Sequence, residues 1–317
     1  MAIEGKGRPT KAQQKEKKLI NQYTEAIAAY SREFKDWESR VEKILKRYRD
    51  DRSARDTSGS RFNILWSNVQ TLIPATFSRL PQPDVSRRFR DNDPVGRVAS
   101  LILERALDFE VQHYPDYRAT LKQVVGDRFL GGRGTAWIRY EPHIKSKSNP
   151  EGDEVTEDVD NPEEELDYEC APVDYVHWKD FGHSVARTWE EVTLVWRKVY
   201  MTRDACIKRF GDDGKTIPLD STPDDLKKDN VEAADYQRAL VYEIWDKERD
   251  CACWFSKSLG KIIDTKPDPL ELEGFFPCPK PLYATLTNET LVPVPDFSLY
   301  QDQARELDTL ADRIDGL

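Results

Sequence analysis

Residues 61–90 read RFNILWSNVQTLIPATFSRLPQPDVSRRFR, and the chain on either side is organised around them. Phe62, Leu65, Trp66, Val69, Leu72, Ile73 and Phe77 recur at steps of three and four, which predicts a helix with one apolar stripe. Pro81 and Pro83 prevent its continuation, because neither has an amide donor and each biases its predecessor to extended geometry. Residues 84–90 then read as a strand with a basic face, carrying Arg87, Arg88 and Arg90. The expected arrangement is a buried helix, with Trp66 and Phe77 in the core, feeding an extended basic segment.

Upstream, residues 1–12 have little to bury and read as an arm. From Gln13 to about Asp50 the pattern sharpens. Tyr23, Ile27, Tyr30, Phe34, Trp37, Val41, Ile44 and Tyr48 alternate steps of four and three, a heptad seam. It predicts a helix about 50 Å long at 1.5 Å per residue. The seam is aromatic, unlike the Leu and Ile seam of a zipper, and predicts a helix lying along other helices of one assembly. Residues 51–60 are a polar linker.

Downstream, Asp93 and Pro94 supply an N-cap and a first-turn proline for a helix whose stripe is Val98, Leu101, Ile102, Ala106 and Phe109. Pro115 divides it from a helix carrying Tyr117, Leu121, Val124, Val125 and Phe129. Residues 131–134, GGRG, stop that helix before a strand at 135–140, TAWIRY. Residues 151–169 hold eleven Asp and Glu and no Lys or Arg, so 146–167 read as an acidic loop between strands. Further strands are expected around 168–173 and within 188–200, and a Thr202-capped helix at 202–210. A three-strand meander follows at 238–246, 251–256 and 261–265. Residues 267–295 contain seven prolines and read as a clamped connector. A last amphipathic helix covers 297–314, with Leu299, Ala304, Leu307, Leu310, Ala311 and Ile314 on one side. The fold class is therefore α+β, divided as 1–60 arm and long helix, 61–295 α+β body, and 296–317 terminal helix.

A chain of 317 residues can bury a sizeable core, and 33% charged residues leave much of it as surface or interface. A net charge of −10 argues against wrapping nucleic acid, which needs a basic stripe. Five cysteines without framework spacing point to a reducing setting. No apolar run is long enough to cross a membrane as a helix.

Signals for chemistry are weak. GGRG has helix–glycine–strand order and no Lys, the reverse of a phosphate-binding loop, and reads as a helix stop. Residues 177–183, HWKDFGH, lack zinc-ligand spacing even with Asp174 nearby. Cys251 and Cys253 share one strand face and read as two small apolar groups. Dispersed carboxylates leave open a metal-dependent hydrolase or nuclease, although 58 Asp and Glu make chance pairs inevitable. Arg87, Arg88 and Arg90, with Arg79 and Arg97, read first as a salt-bridged interface strand in an acidic chain.

Several short motifs resemble the portal (head-to-tail connector) proteins of tailed bacteriophages, podovirus type. They are FNILWSN at 62–68, LIP at 72–74, LPQP at 80–83, FLGGRGTAWIRY at 129–140, PLYAT at 281–285, LVPVPD at 291–296 and YQDQ at 300–303. Phe62, Asn63, Trp66, Pro81, Pro83, Gly132, Gly134 and Trp137 carry the signature. The resemblance implies an α+β wing and the start of a stem helix. It implies a ring of roughly twelve copies at a capsid vertex, assembled in the host cytoplasm. A terminase motor would drive double-stranded DNA through the ring without tight or sequence-specific binding. Major capsid and scaffolding proteins and a tail adaptor are the other implied partners. It implies no enzymatic activity, cofactor or metal. Arg87, Arg88 and Arg90 would face a neighbouring subunit or an internal carboxylate surface, and Gln301, Arg305, Asp308 and Asp312 the channel. The family's clip, second stem helix, channel loop and crown have no counterpart before Leu317, which implies a truncated product or fragment. Another virion adaptor protein is the alternative from outside enzymology.

Overall fold

The computed structural model describes residues 11–51, 62–87, 93–114, 116–146, 164–222 and 237–315. Helices and antiparallel sheets alternate in an α+β arrangement that ends in a helix.

The centre is a five-stranded antiparallel sheet in the order β5-β6-β7-β8-β9. Its strands are β5 (Phe181–His183), β6 (Leu194–Met201), β7 (Ala239–Asp246), β8 (Cys251–Ser256) and β9 (Lys261–Pro267). The meander expected from the turn residues is β7–β9. Alternation along each strand sends side chains to two faces. Leu194, Trp196, Tyr242, Ile244, Cys253 and Phe255 point to one face, and Val195, Trp245 and Ala252 to the other.

The first face is covered by α1 (Lys11–Tyr48), a single helix of 38 residues. Tyr23, Ile27, Tyr30, Phe34, Trp37 and Val41 are all buried against the sheet. The seam thus packs on strands of its own chain, not along helices of an assembly. Broad rings suit this role, because they fill the wide gap between a helix and a sheet. Buried polar bonds fix the register: Tyr30 donates to Phe181 O at 3.0 Å, and Trp37 Nε1 to Gly131 O at 2.8 Å.

The second face carries β1 (Arg133–Ile138), β4 (Val173–Val176) and the proline-rich connector. β1 pairs with β4 and with β10 (Leu282–Tyr283). The connector also forms the small ladder β11 (Thr285–Thr287) with β12 (Thr290–Val294). Further along, α5 (Arg203–Phe210) and α6 (Asp212–Thr216) pack Cys206 and Ile217 against Ala239 and Val241. Thr202 caps α5 by accepting from Ala205 N at 3.3 Å.

Three helices flank this body: α2 (Ile64–Thr76), α3 (Pro94–His113) and α4 (Tyr117–Leu130). α4 ends at the GGRG turn, as its glycines predict. Gly132 has φ +83°, and a Cβ at Gly134 would stand 1.9 Å from Val124 O, so strand and helix touch through a bare backbone. β2 (Glu141–Ser146) and β3 (Glu164–Cys170) form a separate hairpin. Glu164–Asp167 are therefore strand, not acidic loop. Leu166, Tyr168 and Cys170 alternate in sequence, a period-2 signal hidden by the charge run, although a register shift between His143 and Ile144 takes Leu166 off the face that Tyr168 and Cys170 share. Residues 147–163 lie outside the described residues. The last helix is α7 (Phe297–Asp315), kinked at Tyr300.

Candidate functional site

The signature stretch begins with Asn63, which caps α2 by accepting from Trp66 N at 3.2 Å. Its amide nitrogen donates to Arg47 O and Tyr48 O at 3.0 and 3.1 Å. One side chain thus satisfies orphan groups at the end of α1 and the start of α2. Leu65 and Val69 are buried against Ile44, Val125 and Phe129, with Ile73 and Phe77 partly buried beside them. Trp66 and Phe62 do not share that core; they are 52% and 57% exposed. α1 and α4 cover only the Leu65–Val69–Ile73 edge of α2; Trp66 lies about 100° round the helix from Leu65, and Phe62 precedes the N-cap. Pro81 and Pro83 occupy an irregular segment, whereas Gly132, Gly134 and Trp137 are buried.

Residues 84–87 are likewise irregular, not a strand. Arg87 makes an internal contact. Its guanidinium donates to Asp93 O at 2.9 Å, reaches Asp93 Oδ2 at 3.7 Å and lies over Gly96. It fastens the extended segment to the start of α3, an internal carboxylate contact. Arg88 and Arg90 lie outside the described residues.

Of the residues assigned to a channel, Asp308 is turned inward. It holds Arg47 of α1 at 2.7 Å, with both side chains largely buried. Arg128 of α4 pairs with Asp296 just before α7. These two pairs seat α7 on the body, one just before its start and one past its midpoint. Gln301, Arg305 and Asp312 remain exposed, Arg305 pairing with Asp302 at 3.1 Å. The apolar side of α7 is mostly uncovered: Ala304 is buried, but Leu299, Leu307, Leu310 and Ile314 are exposed.

α3 shows the same condition more strongly. None of its 20 residues is buried. Val95, Val98, Leu101, Ile102, Leu103, Leu107 and Phe109 stand in solvent. Asp93 caps the helix through Val95 N at 3.0 Å, and Glu104 accepts from Val85 N at 3.3 Å. Those polar ties hold the helix without covering its stripe.

Two arrangements gave little signal in the sequence. Arg133, inside the GGRG turn, is 1% exposed and lies 4.7–5.8 Å from the ring centres of Tyr30, Phe34, Trp37 and Phe181. It donates to Trp178 O and Phe181 O at 3.0 and 3.2 Å. His183 sits beside the same rings, and burial, reinforced by the Arg133 charge, lowers its pKa to about 3. The second arrangement brings Glu141, His143 and Cys170 together with ligand atoms within 4.8 Å of one another. They flank the acidic block from opposite ends, and only the β2–β3 register joins them.

No protein-family model matches the chain, and comparison with curated proteins finds no match.

Proposed function

We propose that the chain is a structural subunit of a portal ring, a conduit for double-stranded DNA at a capsid vertex. The observation that carries the reading is the uncovered apolar face of α3. An isolated helix of this length is marginal in water, and most helical stability comes from a packed apolar face. A contiguous exposed apolar face marks an interaction surface. A ring subunit needs such a face on each copy, complemented by an unlike face on the next, so that contacts close by rotation. Phe62, just before α2, and Trp66 in its first turn extend the available surface with aromatic anchors of the kind interfaces use. The motif resemblance across residues 62–303 supplies the functional class, and the net charge of −10 suits a conduit that duplex DNA slides through without gripping. Gln301, Arg305 and Asp312 are the residues of α7 left to face that path. The motor, capsid, scaffolding and tail-adaptor contacts belong to the same proposal, as does its structural, non-catalytic character.

Native mass spectrometry and electron microscopy across a concentration series test it. Closed rings are expected as concentration rises, with Ile102→Glu reducing them to monomers. A chain that stays monomeric throughout would overturn the reading.

A further inference from the structure

We propose that Glu141, His143 and Cys170 form a binding site for a zinc-class divalent metal at the base of the β2–β3 hairpin. The strand register builds it. Cys170 lies opposite Glu141, and Tyr168 opposite His143, so all four side chains project from one face. His143 stacks on Tyr168 with ring centres 4.1 Å apart and planes 13° from parallel, which fixes the imidazole. Its Nε2 then lies 3.7 Å from Cys170 Sγ and 3.7 Å from Glu141 Oε1.

Those spacings suit a tetrahedral ion. Bond lengths of about 2.0 Å to nitrogen or oxygen and about 2.3 Å to sulfur place neighbouring ligand atoms roughly 3.3–3.6 Å apart. Contraction by a few tenths of an ångström brings Cys170 and Glu141 to that spacing from His143, while Glu141 and Cys170, within 4.8 Å of each other, draw together on binding. The donor set of one thiolate, one imidazole and one carboxylate selects zinc over calcium or magnesium, which favour oxygen. The surroundings supply orientation from a further layer. Arg139 Nη1 holds the other carboxylate oxygen of Glu141 at 3.3 Å, while its Nε reaches Asp174 at 2.5 Å. Arg197 also binds Asp174, at 3.1 Å, tying that layer to the central sheet. Cys170 lines an open cleft of about 550 Å³ beside α3, so solvent can fill the fourth position. On binding, the Cys170 thiol gives its proton to solvent and exchanges its 3.5 Å contact with Glu141 O for a metal–sulfur bond.

Cobalt(II) is the probe, because a thiolate ligand gives a charge-transfer band and tetrahedral geometry intensifies the visible bands. The chelator-treated full chain is titrated with Co²⁺, then with competing Zn²⁺. One saturable equivalent is expected, displaced by Zn²⁺. Cys170→Ser and His143→Ala should each weaken binding at least about 100-fold, and Cys170→Ser should abolish the sulfur band. Cys251→Ser is the control, since Cys251 and Cys253 form another thiol pair, 3.8 Å apart. It should leave the band intact. Near-ultraviolet circular dichroism confirms folding; should His143→Ala not fold, the near-isosteric Cys170→Ser decides. Absence of a saturable band, or a band kept by Cys170→Ser and lost in Cys251→Ser, overturns the site.

Discussion

α1 and α3 carry the same kind of apolar repeat in opposite surroundings. On α1, Tyr23, Phe34 and Val41 are fully buried; on α3, Val95 and Ile102 are 73% and 64% exposed. Their polar ends also differ in purpose. α1 donates from Tyr30 and Trp37 into the backbone of the body, whereas α3 is held by a cap, by Arg87 and by Glu104. One helix has its partner within the chain, and the proposed partner of the other is a second copy. A periodic stripe reports that a helix must be covered and does not say by what.

Substitutions can break this contrast. The largest loss should come from Trp37→Ala, which empties a core site and orphans Gly131 O. A cost of about 3–5 kcal/mol is expected in denaturant unfolding of the monomer.

Acid should act on the α1 side next. His183 has a folded pKa of about 3 against an ordinary 6.5, so it favours the fold above pH 6.5, and that contribution is lost as pH falls toward 3. The unfolded chain binds the proton first. Between pH 6.5 and 4.5, wild type should lose roughly 2 kcal/mol relative to His183→Phe. Measuring the difference separates the imidazole from Asp127, whose burial raises its carboxyl to about 7 and whose contribution is lost as pH rises.

Asn63→Ala should cost about 1–2 kcal/mol, since the cap and the bonds to α1 disappear together. Trp66→Ala should cost less than about 1 kcal/mol in the monomer, given its exposure. Ile102→Glu should change monomer stability by no more than about 0.5 kcal/mol while abolishing assembly. A destabilisation of several kcal/mol from either of the last two would show that their surfaces are covered within one chain.

Much of the body was legible in residue patterns. The α1 seam, the Asp93 and Thr202 caps, the glycine stop after α4 and the β7–β9 meander all rest on local chemistry. What the pattern could not resolve was non-local. Trp66 and Leu65 are adjacent apolar residues on α2, and only the positions of α1 and α4 decide which is buried. Asp308 reads as one of several exposed acids until Arg47, 261 residues away, is placed beside it. Glu164–Asp167 looked like solvated charge because composition outweighed the weak alternation of a hairpin strand. The trio Glu141, His143 and Cys170 has no spacing to recognise, because its order comes from strand pairing across the acidic block.

The buried Arg133 has a consequence for descent. Tyr30, Phe34 and Trp37 on one helix, Arg133 in the glycine turn and Phe181 on the sheet edge share one guanidinium. Lysine offers no planar fork to meet two carbonyls and four rings, so even that exchange disturbs every member. The positions are inherited as a set or repacked as a set. Tyr-x3-Phe-x2-Trp followed by Gly-Gly-Arg-Gly and Phe-Gly-His is therefore a physically grounded fingerprint for seeking distant kin.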